Sequence, residues 1–214
     1  MTDGITWLAE PRAIAWSGYG IVMARDLDSE SLARRVAQTA LRKNGRPRSL
    51  GELGGQQVQD VLVGVFDDLS KEVALRHGEF GEWSYVVKYG GWAAEFGDTP
   101  PVDRHELHVF HLEFDEWNGK PVPPWFTYRH DERLMCTFNL HLDDSWGHGS
   151  PAGAPEVTDA VRDRLIAAGL PDENLDRRTV HRTSLKVLQE HFGLTLPRRD
   201  IVEGTLPTLL LTAG

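Results

Sequence analysis

The chain is short of cysteine, of long apolar runs and of positive charge. Its single cysteine, Cys136, rules out an intrachain disulfide and suits a reducing compartment. No stretch approaches the roughly 18 apolar residues of a membrane helix, so no membrane association is expected. Met1 to Trp16 has no basic segment followed by an apolar run, so no secretory leader is expected and the cytoplasm is the expected location. The formal charge of -9 repels phosphate backbones, which makes nucleic acid a poor partner. There is no phosphate-binding loop of the G-x-x-x-x-G-K-[ST] type and no G-x-G-x-x-G between a strand and a helix.

What remains is an ordinary globular composition. The 214 residues are 40% hydrophobic and 26% charged, enough for one large domain with its own core. Charge is unevenly spread. Arg25, Arg34, Arg35, Arg42, Lys43, Arg46 and Arg48 make residues 25–48 basic, and Arg177, Arg178, Arg182, Lys186, Arg198 and Arg199 do the same near the end. The middle is acidic. Solvated faces account for most such asymmetry.

Periodicity gives the elements. Tyr19, Ile21 and Met23 alternate in a strand, and Asp28 or Ser29 starts a helix over about 29–43. Asn44 to Gly55, rich in Gly, Pro and basic residues, reads as a loop. Val58, Val61, Leu62, Val65, Phe66 and Leu69 follow helical spacing and predict a core-facing helix. The period then becomes two. Trp83, Tyr85, Val87 and Tyr89 alternate, with Gly90-Gly91 as a hairpin turn into a return strand of Trp92, Ala94 and Phe96. Further alternation follows from His105 to Phe114, over Trp125 to His130, and from Leu134 to Leu142, with one face buried and one largely polar. Helices over about 156–168 and 179–192 each stop at Gly plus Leu, with Gly in the left-handed position. Pro197 starts a short third helix, and the apolar tail Leu206 to Leu211 docks on the body. The expected fold is α+β: an antiparallel meander of about five to seven strands packed on helices. Residues 1–144 form the sheet core, 145–155 a Gly/Pro-rich connector, and 156–214 a helical segment docked on the same domain.

Three stretches carry a resemblance: GEWSYVVKYGGW (Gly81 to Trp92), LMCTFNLHLDD (Leu134 to Asp144) and SLKVLQEHFGLTL (Ser184 to Leu196). In that order they resemble the actinobacterial domain-of-unknown-function 6461 family. The resemblance covers most of residues 5–211 and implies an α+β fold and a bacterial cytoplasmic origin. The preference for Arg over Lys suits a high-GC bacterium. The family brings no catalytic residues with it.

Gly147 to Gly153 (GHGSPAG) falls short of a nucleophile elbow, because His148 and Ala152 stand where glycines are required around Ser150. Cys136 shares a face with Leu134 and Phe138 and reads as an inert core thiol. His105 and His111 share a strand face but lie about 20 Å apart, too far for one metal. His111-Leu112-Glu113 and His141-Leu142-Asp143 have the same form, with His and carboxylate on one face. On neighbouring strands these four would suit a divalent metal or acid–base work; otherwise they decorate a solvated face. Trp83, Tyr85, Tyr89 and Trp92 read as sheet packing rather than a pocket. Trp117, Trp125 and Trp146 lie near loop positions, where tryptophan is enriched in binding hot spots or caps the core.

No complete catalytic constellation emerges. The expected function is a non-enzymatic binding or regulatory module with a protein partner, one version being an acidic partner for a basic protein. The alternatives are a metal-dependent enzyme using His111, Glu113, His141 and Asp143, and a small-molecule binder. Apart from a divalent metal at that cluster, no cofactor is expected.

Overall fold

The alternating segments pair edge to edge into one antiparallel sheet, in a computed structural model that describes residues 4–14, 19–40, 47–65, 73–90, 106–112, 123–131 and 133–211. Nine strands are described: β1 (Tyr19–Ala24), β2 (Arg48–Gly54), β3 (Val73–Phe80), β4 (Trp83–Gly90), β5 (Glu106–Leu112), β6 (Trp125–His130), β7 (Arg133–Asn139), β8 (Ala152–Gly153) and β9 (Thr205–Leu211). Five helices accompany them: α1 (Ser29–Ala40), α2 (Gly55–Val65), α3 (Pro155–Ala167), α4 (Arg177–Phe192) and α5 (Arg198–Val202). The strand order is β2-β9-β3-β4-β1-β5-β6-β7-β8.

The α+β class is as expected, but the sheet is larger than five to seven strands and is not a simple meander. Arg48–Gly54 is strand β2 rather than loop. Its composition hides this because it lies at the sheet edge and is mostly exposed, with a register shift at Gly51. Only Leu50 and Leu53 pack against the core. The tail does more than dock: β9 is inserted between β2 and β3, pairing Leu206 with Leu53 and Leu209 with Leu75.

The hairpin of β4 is also on the other side from that expected. Phe80 pairs with Trp83 across Gly81-Glu82, and Gly81 takes φ 62°, where a side chain would be strained. β1 occupies the opposite edge of β4, and the expected return strand of Trp92, Ala94 and Phe96 falls outside the described residues. Residues 91–100 lie outside the described residues.

The central strands are buried on both faces, where one polar face was expected. Tyr19, Ile21 and Met23 join Tyr85, Val87, Tyr89, Phe126 and Phe138 in the main core, together with Leu185 and Leu188 of α4. Val22 and Ala24 point the other way, to Leu32, Ala33, Val36 and Ala37 of α1. A helix on each face explains why β1 reads as nearly all apolar.

Both late helices end as their sequence dictates. Leu170 N–H donates to Leu165 O at 2.9 Å and Gly169 N–H to Ile166 O at 2.9 Å, the two bonds of a Schellman stop. Leu194 N–H reaches Gln189 O at 3.2 Å after Gly193 at φ 68°. At the other end of α4 the Asp176 carboxylate accepts from Arg178 N and Thr179 N, each at 3.0 Å.

Candidate functional site

The alternation of β7 ends at Asn139, whose side chain is buried and organises the loop that follows. Its Nδ2 donates to Asp143 O and Gly147 O, each at 2.9 Å, and its Oδ1 accepts from Asp143 N at 3.0 Å. Its backbone N–H donates to His148 O at 2.9 Å, closing residues 139–148 into one ring. Leu140, fully buried, anchors the start through a 2.7 Å bond to Pro124 O. The Asp143 carboxylate accepts from Ser145 N at 2.9 Å and Ser145 Oγ at 2.6 Å, opening a short 3-10 turn, Asp144–Trp146. Leu142 (φ 54°), Gly147 (φ 73°) and His148 (φ 50°) all take left-handed backbone. Two of the three are not glycine, so surrounding bonds hold a conformation the chain alone disfavours.

The loop displays Trp146 with 41% of its surface exposed. Trp125, at the start of β6, is half-buried. Its indole N–H donates to Thr137 Oγ1 at 2.8 Å, and its ring meets His148 edge-on at 5.3 Å. Of the three tryptophans singled out, Trp146 is therefore a displayed ring and Trp125 a packed strand residue; Trp117 lies outside the described residues.

The strands expected to be neighbours for the His/carboxylate cluster are not adjacent. His111 pairs with Trp125 of β6, and Trp125 pairs with Asn139 of β7. β6 thus separates the two strands by about 10 Å, twice the ordinary spacing. His141 and Asp143 lie beyond the end of β7, and Glu113 lies outside the described residues. Among the described residues no group of three or more His, Cys, Asp or Glu is placed to hold a metal.

His141 meets a different histidine. Its ring packs edge-on against His181 of α4 at 5.8 Å, and Asp143 pairs with Arg177 at 3.6 Å. Burial, aided by Arg177, pushes His141 down to about 4, and burial beside His141 pushes His181 down to about 3. Bonds from the Ser145 side chain and backbone hold the Asp143 carboxyl below the usual range, with smaller help from Arg177 and His141. These are two neutral imidazoles and one ionised, fully engaged carboxylate. They brace the loop against α4.

His181 was legible in principle: with Leu185, Leu188 and Phe192 it falls at i, i+4, i+7 and i+11 of α4, the core face. Asn139 gave no such signal, because it lies on the opposite strand face from Cys136 and Phe138. Cys136 is a core thiol as read; burial pushes it up to about 12. No helix among the described residues is long and apolar enough to cross a membrane. No family model, no curated protein and no solved structure matches the chain.

Proposed function

We propose that the chain is a non-enzymatic binding module that engages a protein partner through loop 139–148. One observation carries this: Trp146 is held out to solvent on a loop braced from beneath by buried Asn139. A preorganised loop loses little freedom on binding, so an exposed indole on it adds affinity at low entropic cost. Asp144 adjoins the ring in sequence, and Asp143 lies at the root of the same turn. A cationic side chain of the partner fits such a surface, over the ring face and beside the carboxylate. The net charge of -9 agrees with a basic partner. The resemblance to an actinobacterial family and the single buried Cys136 support a bacterial, cytoplasmic setting for this role.

The test is quantitative capture from cell extract with a photo-crosslinker in place of the exposed Ser150, beside the loop, followed by titration of the captured protein against wild type and Trp146→Ala. A specific partner whose affinity falls about 100-fold with Trp146→Ala is the expected result. A captured partner that binds both forms equally, or no crosslink at cellular concentration, removes the reading.

A further inference from the structure

Arg178, Arg182 and Lys186 stand at i, i+4 and i+8 of α4 and are all exposed, forming a cationic stripe on a chain whose net charge is -9. Beside the stripe α3 and α4 leave a groove of about 500 Å³, lined by Arg164, Ala167 and Ala168 from one side and Thr183, Lys186 and Val187 from the other. Glu190 also lines it and sits 3.9 Å from Lys186, a loose pair. Arg164, Arg178 and Arg182 are in no ion pair among the described residues. Nearby arginines differ: Arg162 pairs with Asp159 at 2.6 Å and Arg177 with Asp143 at 3.6 Å. The apolar part of the lining is Ala167, Ala168 and Val187, and the two alanines are exposed.

We propose that this groove docks an acidic amphipathic helix of a partner protein. Two helices side by side offer the trough into which a third packs, with its apolar stripe on Ala167, Ala168 and Val187. Carboxylates flanking that stripe meet Arg164 and Arg182, which are in no ion pair among the described residues, and Lys186, whose pair with Glu190 is loose. Ion pairs of this kind steer association and set orientation, and are screened by salt. An apolar floor distinguishes a peptide from a bare polyanion, which meets charge alone. The groove shares no residue with loop 139–148, and the proposal stands whether or not Trp146 binds a partner.

The probe is a labelled synthetic helix of about 15 residues, with Leu at i, i+3, i+4 and i+7 and Glu elsewhere, followed by fluorescence anisotropy at low salt. Saturable one-to-one binding is expected. It should weaken at least about tenfold in Arg164→Glu/Lys186→Glu, weaken again on adding salt, and persist in Trp146→Ala. The Lys counterpart of the peptide should not bind. Arg182→Glu serves as an independent variant should the double substitution disturb the fold, as judged by circular dichroism. Failure to saturate, indifference to both sets of charge reversals, or equal competition by a DNA duplex would each overturn the proposal; the last would mark a general polyanion surface.

Discussion

Arg76 and His108 are basic side chains on two strands of one sheet, both with no exposed surface, and they are treated in opposite ways. Arg76 is fully solvated by protein. Its Nε donates to Leu53 O at 3.0 Å, one terminal nitrogen to Tyr89 Oη at 2.8 Å and Ile201 O at 2.7 Å, and the other to Gly204 O at 2.8 Å. Among the described residues His108 has no hydrogen-bond partner on either ring nitrogen. It stacks on Tyr128 at 4.5 Å and 6°, with Trp83 and Phe192 edge-on at 5.2 and 4.9 Å. An arginine cannot escape the penalty of burial by losing its proton, so the fold must supply acceptors. A histidine can, and in an aromatic box it is kept neutral; burial, with Arg25 and His191 nearby, pushes it down to about 3. Among the described residues buried positive charge is tolerated where backbone carbonyls converge, at the ends of β2 and α5.

The largest consequence is acid sensitivity. His108 and His181 are held at about 3 and His141 at about 4, all chiefly by burial. In the unfolded chain each would take up a proton near pH 6.5. The unfolded state therefore binds more protons than the folded one from about pH 6.5 down to about 4 for His141 and about 3 for His108 and His181. Stability is fully present above that window and is lost as pH falls through it, at up to about 1.4 kcal/mol per pH unit per histidine. Urea unfolding at pH 7.5, 6 and 5 should show the midpoint falling steeply between the last two. A midpoint that does not move would mean these imidazoles are not buried and neutral.

Arg76→Met comes next. It removes the bridge from β3 to β2, β4 and α5 and leaves buried carbonyls without donors, a loss of about 3–5 kcal/mol in urea unfolding at pH 7.5. Arg76→Lys should recover little of it, since one ammonium cannot span acceptors on three elements. Full rescue by Lys would show that charge, rather than the fork of donors, is what the site needs.

The difference between the two residues also explains what could be read in advance. Elements with a strong period were legible: α1, α2, β4 and β7 follow from the spacing of Leu32 and Val36, Val58 and Leu62, Tyr85 and Val87, and Cys136 and Phe138. So did the glycine stops at Gly169 and Gly193, which are local chemistry. Pairing was not legible, because it depends on contacts distant in sequence. Nothing in Thr205–Leu211 says that it lies between β2 and β3, and nothing in Arg48–Gly54 says that a later strand will complete it. The candidate site divides along the same line. Trp146 stood out by residue type and loop position. The partner of His141 was wrongly sought on a strand, because side chains past the end of β7 no longer obey its alternation; it is supplied by α4. Arg76 and His108 each sit in alternating segments as one more polar residue, and only the surrounding elements decide which is solvated by carbonyls and which is caged by rings.

The smallest expected effect is the sharpest test of that distinction. His108→Phe keeps a flat ring between Tyr128 and Phe192 and deletes two polar atoms that have no partner among the described residues. Removing an unsatisfied buried group in favour of an apolar one of similar shape is neutral or stabilising, here by about 0–1 kcal/mol at pH 7.5. Its effect should grow as pH falls, because one of the three acid-sensitive imidazoles is gone. At pH 5 the variant should exceed wild type by about 2 kcal/mol more than it does at pH 7.5. The variant also probes α4 from its C-terminal end, where Arg25 donates to Phe192 O and the Trp83 indole to Gly193 O, each at 3.0 Å. If His108 only fills space, those bonds survive and amide exchange in α4 is unchanged at pH 7.5. A variant that loses stability at both pH values would show instead that a polar atom is required inside the box.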